Sequence, residues 1–267
     1  AAAPASGAVP AQRTTRRSVR TAPNPNGILA GKIASIDKAG TASVSVAVLD
    51  TGDGRGARYG VPAGRTYDTA SIAKVDILAA VLLHAQDQHR SLTSSEKSYA
   101  TSMIHVSDNA SADALWGVIG GAPGLDAANR RLGLDATTAG TGGHWGLTQT
   151  TAGDQLVLLG AVFGDGHSGH SALNAASRTY IRGLMGGISA DQDWGVSAAG
   201  KAAGLKNGWL PRSRTGLWDI NSIGRVTADG HTYLLAVVSD GNKSMSSGIT
   251  LVEKAAKAAV AALRTGT

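Results

Sequence analysis

The order of hydrophobic patterns along the chain predicts a mixed α/β (α+β) fold, in which helices flank one antiparallel sheet. Alternating polar and apolar residues at 43–49, followed by a glycine-rich turn at 51–56, indicate a hairpin whose second strand covers 57–61. Strand patterns return at 222–226 and 233–238. The stretch between carries helical periodicity. We therefore expect a sheet built from both ends of the chain, with an all-helical lobe inserted between them.

The helices are predicted from apolar residues that recur every three or four positions. In the helix predicted at 71–88 they surround nearly the whole circumference, which is typical of a buried helix. The other helices are predicted at 27–39, 96–104, 109–118, 124–132, 150–163, 175–185 and 246–263.

A chain of 267 residues is long enough for one domain with a substantial core. We expect a single catalytic domain at 27–267, with an α/β lobe (27–68 and 190–267) and a helical lobe (69–189). The active site is expected at the seam between the lobes. Residues 1–26 are rich in Ala, Pro, Arg and Thr and are predicted to form a flexible basic tail.

Composition narrows the functional class. The net charge is +6, and much of it comes from tail arginines, which are either simply solvated or weakly attracted to an anionic surface such as a cell wall. No basic stripe interleaved with aromatic residues follows, so nucleic-acid binding is not expected. The chain has no cysteine and no run of about 18 apolar residues, so no disulfide and no membrane span are predicted. Residues 1–8 resemble the stretch after a removed signal peptide, and we expect a secreted protein, extracellular or cell-wall associated.

Three short motifs carry the candidate chemistry. They are Ser71-Ile72-Ala73-Lys74, Ser107-Asp108-Asn109 and Lys206-Asn207-Gly208. The Ser-x-x-Lys spacing also occurs at 35–38 and 94–97, whereas each of the other two motifs occurs once, downstream and in sequence. The order of the three motifs therefore predicts an acyl-transfer site better than the first motif does alone.

Ser71 is the candidate nucleophile, in the first turn of a helix whose free N–H groups favour developing negative charge. Lys74 lies three residues later on the same helix face and can take the Ser71 proton when it is neutral. Burial and repulsion from Lys206 are both expected to lower its pKa. The alternatives are a helix N-cap for Ser71 and a surface position for Lys74.

The second motif supplies a proton relay and an amide. Ser107 can pass the proton to a leaving nitrogen, and its alternative role is a helix N-cap. Asn109 can bond both Lys74 and a substrate amide. Asp108 is expected to point away and hold the loop.

These motifs make the chain resemble serine β-lactamases and penicillin-binding proteins, and class A β-lactamases most of all. The likeness runs from Ala42 to Arg264. It implies a β-lactamase/DD-peptidase-like fold that needs no metal and no cofactor. It also implies that the backbone N–H groups of Ser71 and Trp209 form an oxyanion hole. A plain core position is the alternative for the Trp209 side chain.

The third motif is expected to start an edge strand and to bind substrate. The Lys206 ammonium attracts a substrate carboxylate, and Gly208 lets the substrate backbone approach closely. Asn207 stands where the family usually has Thr or Ser, and it can still donate a hydrogen bond. Arg214 could assist with the carboxylate, and a solvated position is its alternative.

One part of the class A pattern is absent, namely the loop glutamate that activates the deacylating water. The glutamates of this chain are Glu96 and Glu253, both outside the corresponding stretch at 132–155. Its possible polar substitutes are Asp135, His144 and Gln149. The pair His144-Trp145 could also shape the pocket or position water, and an ordinary loop role is its alternative. Acylation is thus expected to be intact, and deacylation slow or unconventional.

The residues predict a secreted serine acyl-transfer hydrolase that forms a Ser71 acyl-enzyme with β-lactams or related amides and esters. The alternatives are a D-Ala-D-Ala-type peptidase or esterase, a non-turnover penicillin-binding sensor or sink, and a homologue that keeps only the fold. The expected partner is a small β-lactam or peptidoglycan-stem-like molecule, and the expected state is a monomer. Asp165, His167 and His170 share a glycine-rich loop, but no metal site is predicted there.

Overall fold

The computed structural model describes residues 24–36, 40, 42–60, 62–164 and 171–264. The α-helices in these ranges are α1 (Pro25–Ile36), α2 (Ala73–Asp87), α3 (Ser94–His105), α4 (Asn109–Val118), α5 (Gly121–Leu132), α6 (Ala152–Phe163), α7 (Ala175–Met185) and α8 (Met245–Arg264). The strands are β1 (Ser43–Asp50), β2 (Gly56–Tyr59), β3 (Tyr67–Asp68), β4 (Gln149–Thr150), β5 (Lys201–Pro211), β6 (Trp218–Ala228) and β7 (His231–Asn242).

Two sequence predictions fall partly or wholly outside the described ranges. Residues 1–23 of the predicted tail lie outside them. The last residues of the predicted tail belong to α1, which begins at Pro25. Proline suits the first position of a helix because a backbone N–H there would have no partner within the helix. Asp165, His167 and His170 also lie outside. Within the described ranges, no group of three or more His, Asp or Glu side chains is placed to hold a metal. No helix there is long and apolar enough to cross a bilayer.

The main sheet has five strands in the order β2-β1-β7-β6-β5, and every neighbouring pair is antiparallel. The early strand β1 pairs with the late strand β7 along its whole length, with Val46 opposite Val237. The predicted fold class, with a sheet built from both ends of the chain and flanking helices, is confirmed. The lobe boundaries at 69 and 190 stay a prediction.

Apolar cores lie on both faces of this sheet. One core centres on α2, where residues 73–83 are all buried, so the prediction of a buried helix is confirmed. The other core lies on the opposite face, where Leu29 and Ile33 of α1 pack with the inner side of α8. Each fully buried Leu or Ile contributes about 1.5–3 kcal/mol. Leu205 of β5 belongs to this second core, which packs against the strand that carries Lys206.

Two predicted elements differ from the structure near the site. Thr150, predicted to begin a helix, instead forms β4 together with Gln149, because the two residues pair with Tyr67 and Asp68 of β3. The helix α6 begins only after Thr151, whose side chain accepts a hydrogen bond from Asp154 N at 3.1 Å. Lys206, predicted to start the edge strand, lies in the middle of β5, because pairing with β6 already begins at Lys201.

One carboxyl group, that of Asp76 in α2, is buried in the helical core. The Asn129 amide nitrogen, oriented toward it, lies 2.8 Å from Oδ1 and 2.9 Å from Oδ2. Burial raises the pKa of Asp76 to about 8, although the Asn129 hydrogen bond partly opposes the shift. Since the unfolded chain ionises Asp near pH ~4, this group destabilises the fold increasingly as pH rises from about 4 to about 8.

Asp76→Asn is therefore expected to raise the stability at pH 7.5 by about 1–2 kcal/mol and to flatten its dependence on pH. Thermal unfolding of both proteins at pH 5 and pH 7.5 measures this. Asp87→Asn is the control, because Asp87 lies in an exposed ion pair with Arg131 and should change stability by less than about 1 kcal/mol. A variant that is less stable than the wild type at pH 7.5 would contradict the assignment.

Candidate active site

The residues of the three motifs meet where the edge strand β5 faces the helical segment. A cleft of about 990 Å³ opens beside them. Its lining includes Asn109, Asp113, His144, Trp145, Arg212 and Arg214. One wall thus comes from α4 and the loop after α5, and the other from the hairpin between β5 and β6.

Ser71 lies in a single turn of 3₁₀-helix, Ala70–Ile72, which leads directly into α2. Ala70 has a φ of 47°, in the left-handed region that a residue with a side chain adopts only at a cost. Ser71 is half-buried, and no hydrogen bond of its hydroxyl is formed with the residues that the structure describes. The candidate nucleophile is therefore held by a strained backbone and keeps its hydroxyl unengaged.

Gly208 of β5 lies directly against this turn. A Cβ added to it would stand 2.8 Å from Ser71 N, 2.8 Å from Thr69 O and 3.0 Å from Ile72 N. Only a residue without a side chain permits this approach. The space was predicted to admit a substrate backbone, but it is taken up by the protein's own nucleophile turn.

Lys74 lies one turn after Ser71 and is fully buried. Its Nζ donates hydrogen bonds to Ser107 O at 2.6 Å, Ser107 Oγ at 2.9 Å and Asn109 Oδ1 at 2.8 Å. The predicted bond between Asn109 and Lys74 is thus present. The amine faces the second motif rather than the Ser71 hydroxyl. Proton transfer from Ser71 to Lys74 therefore requires one of these three hydrogen bonds to break.

Ser107 connects the two lysines. Lys206 Nζ donates to Ser107 Oγ at 3.1 Å and to Asn207 O at 3.0 Å, and Lys206 is fully buried. Ser107 has a φ of 57°. It is not the N-cap of α4, because Asp108 takes that position and accepts a hydrogen bond from Ser111 N at 2.7 Å. Asp108 holds the loop, as predicted, and the Ser107 hydroxyl remains free to carry protons between amines.

The buried environment changes the acidity of both amines. Burial lowers the pKa of Lys74 to about 8, while Asp108 and Asp113 partly oppose this. Burial, and then the nearby charge of Lys74, lower the pKa of Lys206 to about 7. The predicted decrease in the pKa of Lys74 through burial is confirmed, and repulsion between the two lysine charges is a second cause of the lowering in this buried pair. An amine that loses its proton near neutral pH can serve as a general base.

The side chains of Asn207, in the third motif, and of Trp209, directly after it, point away from the cleft. The Asn207 side chain is buried and donates to Gln192 O at 2.7 Å and Trp194 O at 3.0 Å, so its predicted contact with substrate is wrong. The Trp209 ring packs into the core behind the sheet, with its centroid 6.1 Å from that of Trp194. The reason is strand alternation, which places residues 207 and 209 on the face opposite Lys206 and Gly208. Only the backbone of Trp209 can take part in an oxyanion hole.

The two arginines of the hairpin have different environments. Arg212 forms an ion pair with Asp68 and lies 3.6 Å from Asp219 Oδ2. Burial, opposed by Arg212, raises the pKa of Asp219 to about 7. Arg214 is exposed, lines the cleft and forms no ion pair with the described residues. It is therefore the guanidinium that a substrate carboxylate can reach, and its role in binding stays a prediction.

The possible substitutes for the absent glutamate lie in different places. Asp135 is exposed and is not part of the cleft lining. Gln149 donates to Asp68 and accepts from Thr66 Oγ1 at 3.0 Å, so it fastens β4 to β3. Of the three, only His144 lines the cleft, where it is exposed.

The two glutamates are used elsewhere. Glu96 completes a capping box with Thr93 and pairs with Arg90 at 2.7 Å, and Glu253 accepts a bond from Gly195 N at 3.4 Å. Neither lines the cleft.

The residue pair Trp145 and Asp113 was not predicted to act together. Trp145 Nε1 donates to Asp113 Oδ1 at 2.7 Å, and the Trp145 ring centroid lies 4.9 Å from Lys74 Nζ. The sequence does indicate that Asp113 faces the site, because Asp113 lies four residues after Asn109 and therefore on the same face of α4. The position of Trp145 depends on a loop path that the sequence pattern does not define.

Comparison with known proteins decides the family. A family model described as "Beta-lactamase enzyme family" matches residues 90–263, which is more than half of the chain. The chain belongs to the beta-lactamase enzyme family. No curated protein matches its sequence.

Solved structures show that this family member has the β-lactamase fold. A class A β-lactamase from Bacteroides cellulosilyticus is similar with a TM-score of 0.74 at 19% identity, covering 90% of this chain and 99% of that one. A β-lactamase from Xanthomonas campestris gives 0.68 at 21% identity, covering 88% and 97%. One from Sphaerobacter thermophilus gives 0.69 at 18% identity, covering 90% and 97%. The family and the fold together indicate a serine hydrolase.

Proposed function

We propose that this β-lactamase-family protein is a secreted serine acyl-transfer hydrolase that forms an acyl-enzyme at Ser71 and releases it slowly. The observation that carries the proposal is the buried chain of polar groups from Lys74 through Ser107 to Lys206, with Ser71 one helical turn away. This arrangement supplies a nucleophile, a base with a lowered pKa and a hydroxyl relay in one place.

Acylation follows from these groups. The Ser71 oxygen attacks the carbonyl carbon of a β-lactam or a related amide or ester, and its proton passes to neutral Lys74. The backbone N–H groups of Ser71 and Trp209 stabilise the oxyanion, which is a contribution of about 3–4 kcal/mol per donor. Ser107 then delivers the proton to the leaving nitrogen as the C–N bond breaks.

The buried lysine pair links substrate binding to this step. A substrate carboxylate beside Arg214 and the third motif favours the ammonium form of Lys206. Since the two lysines share Ser107 Oγ, a charged Lys206 in turn favours the neutral form of Lys74. Substrates that carry a carboxylate next to the scissile amide are therefore the class that the cleft fits.

Slow release is supported by the side chains of the loop at 132–155. In that loop Asp135 lies outside the cleft, and Gln149 and Asp154 are engaged in bonds that hold β4 and α6. We therefore favour a long-lived acyl-enzyme over rapid β-lactam turnover. A D-Ala-D-Ala-type peptidase or a penicillin sink uses the same acylation step.

Ser71→Ala is expected to abolish acylation. The measurement is the intact mass of the protein over time after mixing with benzylpenicillin. We expect the wild type to gain the mass of one penicillin and to keep it for minutes or longer, while the variant gains nothing. Ser94→Ala is the control, because Ser94 also begins a Ser-x-x-Lys sequence but lies in α3 away from the cleft. Equal labelling of Ser71→Ala and wild type would contradict the proposed nucleophile.

The natural reaction is addressed in the same assay with a peptide that ends in D-Ala-D-Ala. Release of D-Ala by the wild type and not by Ser71→Ala would favour a peptidase. A stable penicillin adduct with no peptide cleavage would favour a sensor or sink.

A further inference from the structure

We propose that the Trp145 indole, held by Asp113, shields the Ser71 acyl-enzyme from water and so sets its lifetime. This inference rests on the proposed function, because it concerns the fate of the acyl-enzyme formed there. It assigns a positioning role to two residues that no motif of the chain contains.

The first observation is the place of the ring. Its centroid lies 4.9 Å from Lys74 Nζ, whose other contacts go to Ser107 and Asn109. The ring is half-buried and packs against the core that contains α2. Although Lys74 is a charged residue beside an open cleft, it is fully buried. The indole therefore occupies the side of Lys74 from which water would otherwise reach it.

The second observation is that the loop carrying Trp145 is fastened to the nucleophile turn. Thr69 N donates to Thr148 O at 2.9 Å, and Thr69 Oγ1 donates to Gly146 O at 3.4 Å. Trp145 is thus fixed in two ways. The backbone of its own turn is hydrogen-bonded to Thr69, and its indole is hydrogen-bonded to Asp113 on α4. Its position relative to Ser71 is determined by the same backbone that positions Ser71.

The third observation concerns chemistry. Release of the acyl group requires water to attack the ester carbonyl, so that a bond forms between the water oxygen and the acyl carbon and the bond to Ser71 Oγ breaks. One water proton must be taken up by a base and finally returned to Ser71 Oγ, which leaves a free carboxylic acid. An indole has a single N–H donor and no acceptor. Its donor is already engaged by Asp113, so Trp145 can exclude a water molecule but cannot activate one.

The test measures the lifetime of the acyl-enzyme in four proteins. After labelling with benzylpenicillin and removal of the excess, intact mass is followed over time for the wild type, Trp145→Ala, Trp145→Phe and Asp113→Asn. We expect Trp145→Ala to shorten the half-life by about tenfold or more. Trp145→Phe keeps a ring over Lys74 but loses the bond to Asp113, and it should have a smaller effect. Asp113→Asn keeps an oxygen acceptor for the indole, and it should stay within about threefold of the wild type.

A second readout separates shielding from a general loosening of the fold. Burial is the main cause of the lowered pKa of Lys74, so opening that side should raise it. The midpoint, which is the pH at which the acylation rate reaches half its maximum, should therefore move to a higher pH in Trp145→Ala. The control is Tyr99→Ala, an exposed aromatic of α3 outside the cleft lining, which should change neither the half-life nor the midpoint.

Four outcomes are possible, and each supports or overturns the inference. A shorter half-life together with the upward midpoint supports the inference. An unchanged or longer half-life in both Trp145 variants overturns it while leaving Ser71 acylation intact, and so does a wild type that hydrolyses penicillin rapidly without a lasting adduct. A wild type that forms no adduct and consumes no penicillin overturns the proposed function and this inference with it.

Discussion

Replacing Lys74 with methionine is expected to slow the acylation of Ser71 by a penicillin by about 10³-fold, because the general base is lost. Methionine has a similar length and is apolar, so it fits a site that already buries the whole lysine side chain. The acylation rate is measured by mixing enzyme with a chromogenic β-lactam under single-turnover conditions. Thermal unfolding of the same sample shows whether the variant is folded.

The pH dependence identifies the base more specifically than the rate alone. Because burial lowers the pKa of Lys74 to about 8, the amine is mostly protonated below that pH and mostly neutral above it. Wild-type acylation should therefore rise with pH up to about 8 and then level off. Lys74→Met should lack this rise, and Lys74→Arg should also lack it, since a guanidinium stays charged. A rise that persists unchanged in Lys74→Met would assign the titration to another group, with Lys206 the first to examine.

Gly208→Ala is expected to lower the acylation rate by at least about 10²-fold and to destabilise the protein by about 1–3 kcal/mol. The new Cβ would meet Ser71 N and Thr69 O at 2.8 Å each. These are backbone atoms, so no side-chain rotation relieves the clash and the nucleophile turn must move. Moving Ser71 N also moves one donor of the proposed oxyanion hole. Urea unfolding and single-turnover acylation measure the two effects.

The matched control is Gly160→Ala in α6. A Cβ at Gly160 meets nothing within 4 Å, and the residue lies inside a helix. Alanine there should stabilise the protein by about 0.5–1 kcal/mol and leave acylation unchanged. If Gly208→Ala acylates at the wild-type rate, the contact between β5 and the nucleophile turn has no catalytic role.

The fold follows from the sequence where periodicity is strong. The helices at 109–118 and 175–185 begin and end where their patterns predict. Errors occur where tertiary pairing overrides the local pattern. Thr150 looks like the start of a helix, but it forms a strand with Gln149 because the two residues pair with residues 67 and 68.

The site follows from the sequence to the extent that its chemistry lies in short motifs. Lys74, Ser107, Asn109 and Lys206 form the hydrogen-bonded group that the motifs indicate. The buried position of the Asn207 side chain also follows from the sequence, because strand alternation alone puts it on the face opposite Lys206. The position of Trp145 was not predictable, since no local pattern specifies that a loop residue 71 positions after Lys74 covers its amine.

The antiparallel pairing of β1 with β7 also bears on how the enzyme reaches its active form. Ser43 pairs with Asp240 and Asp50 with Tyr233, so these contacts close very long loops, and such contacts slow folding. The turn that carries Ser71 and the loop that carries Ser107 adjoin helices that can form from local contacts. Lys206, in contrast, is delivered by a strand that docks only when the sheet is assembled. Reactivity toward an acylating probe should therefore appear with the final folding step. The rate at which Ser71 becomes open to covalent labelling would then measure the rate of refolding.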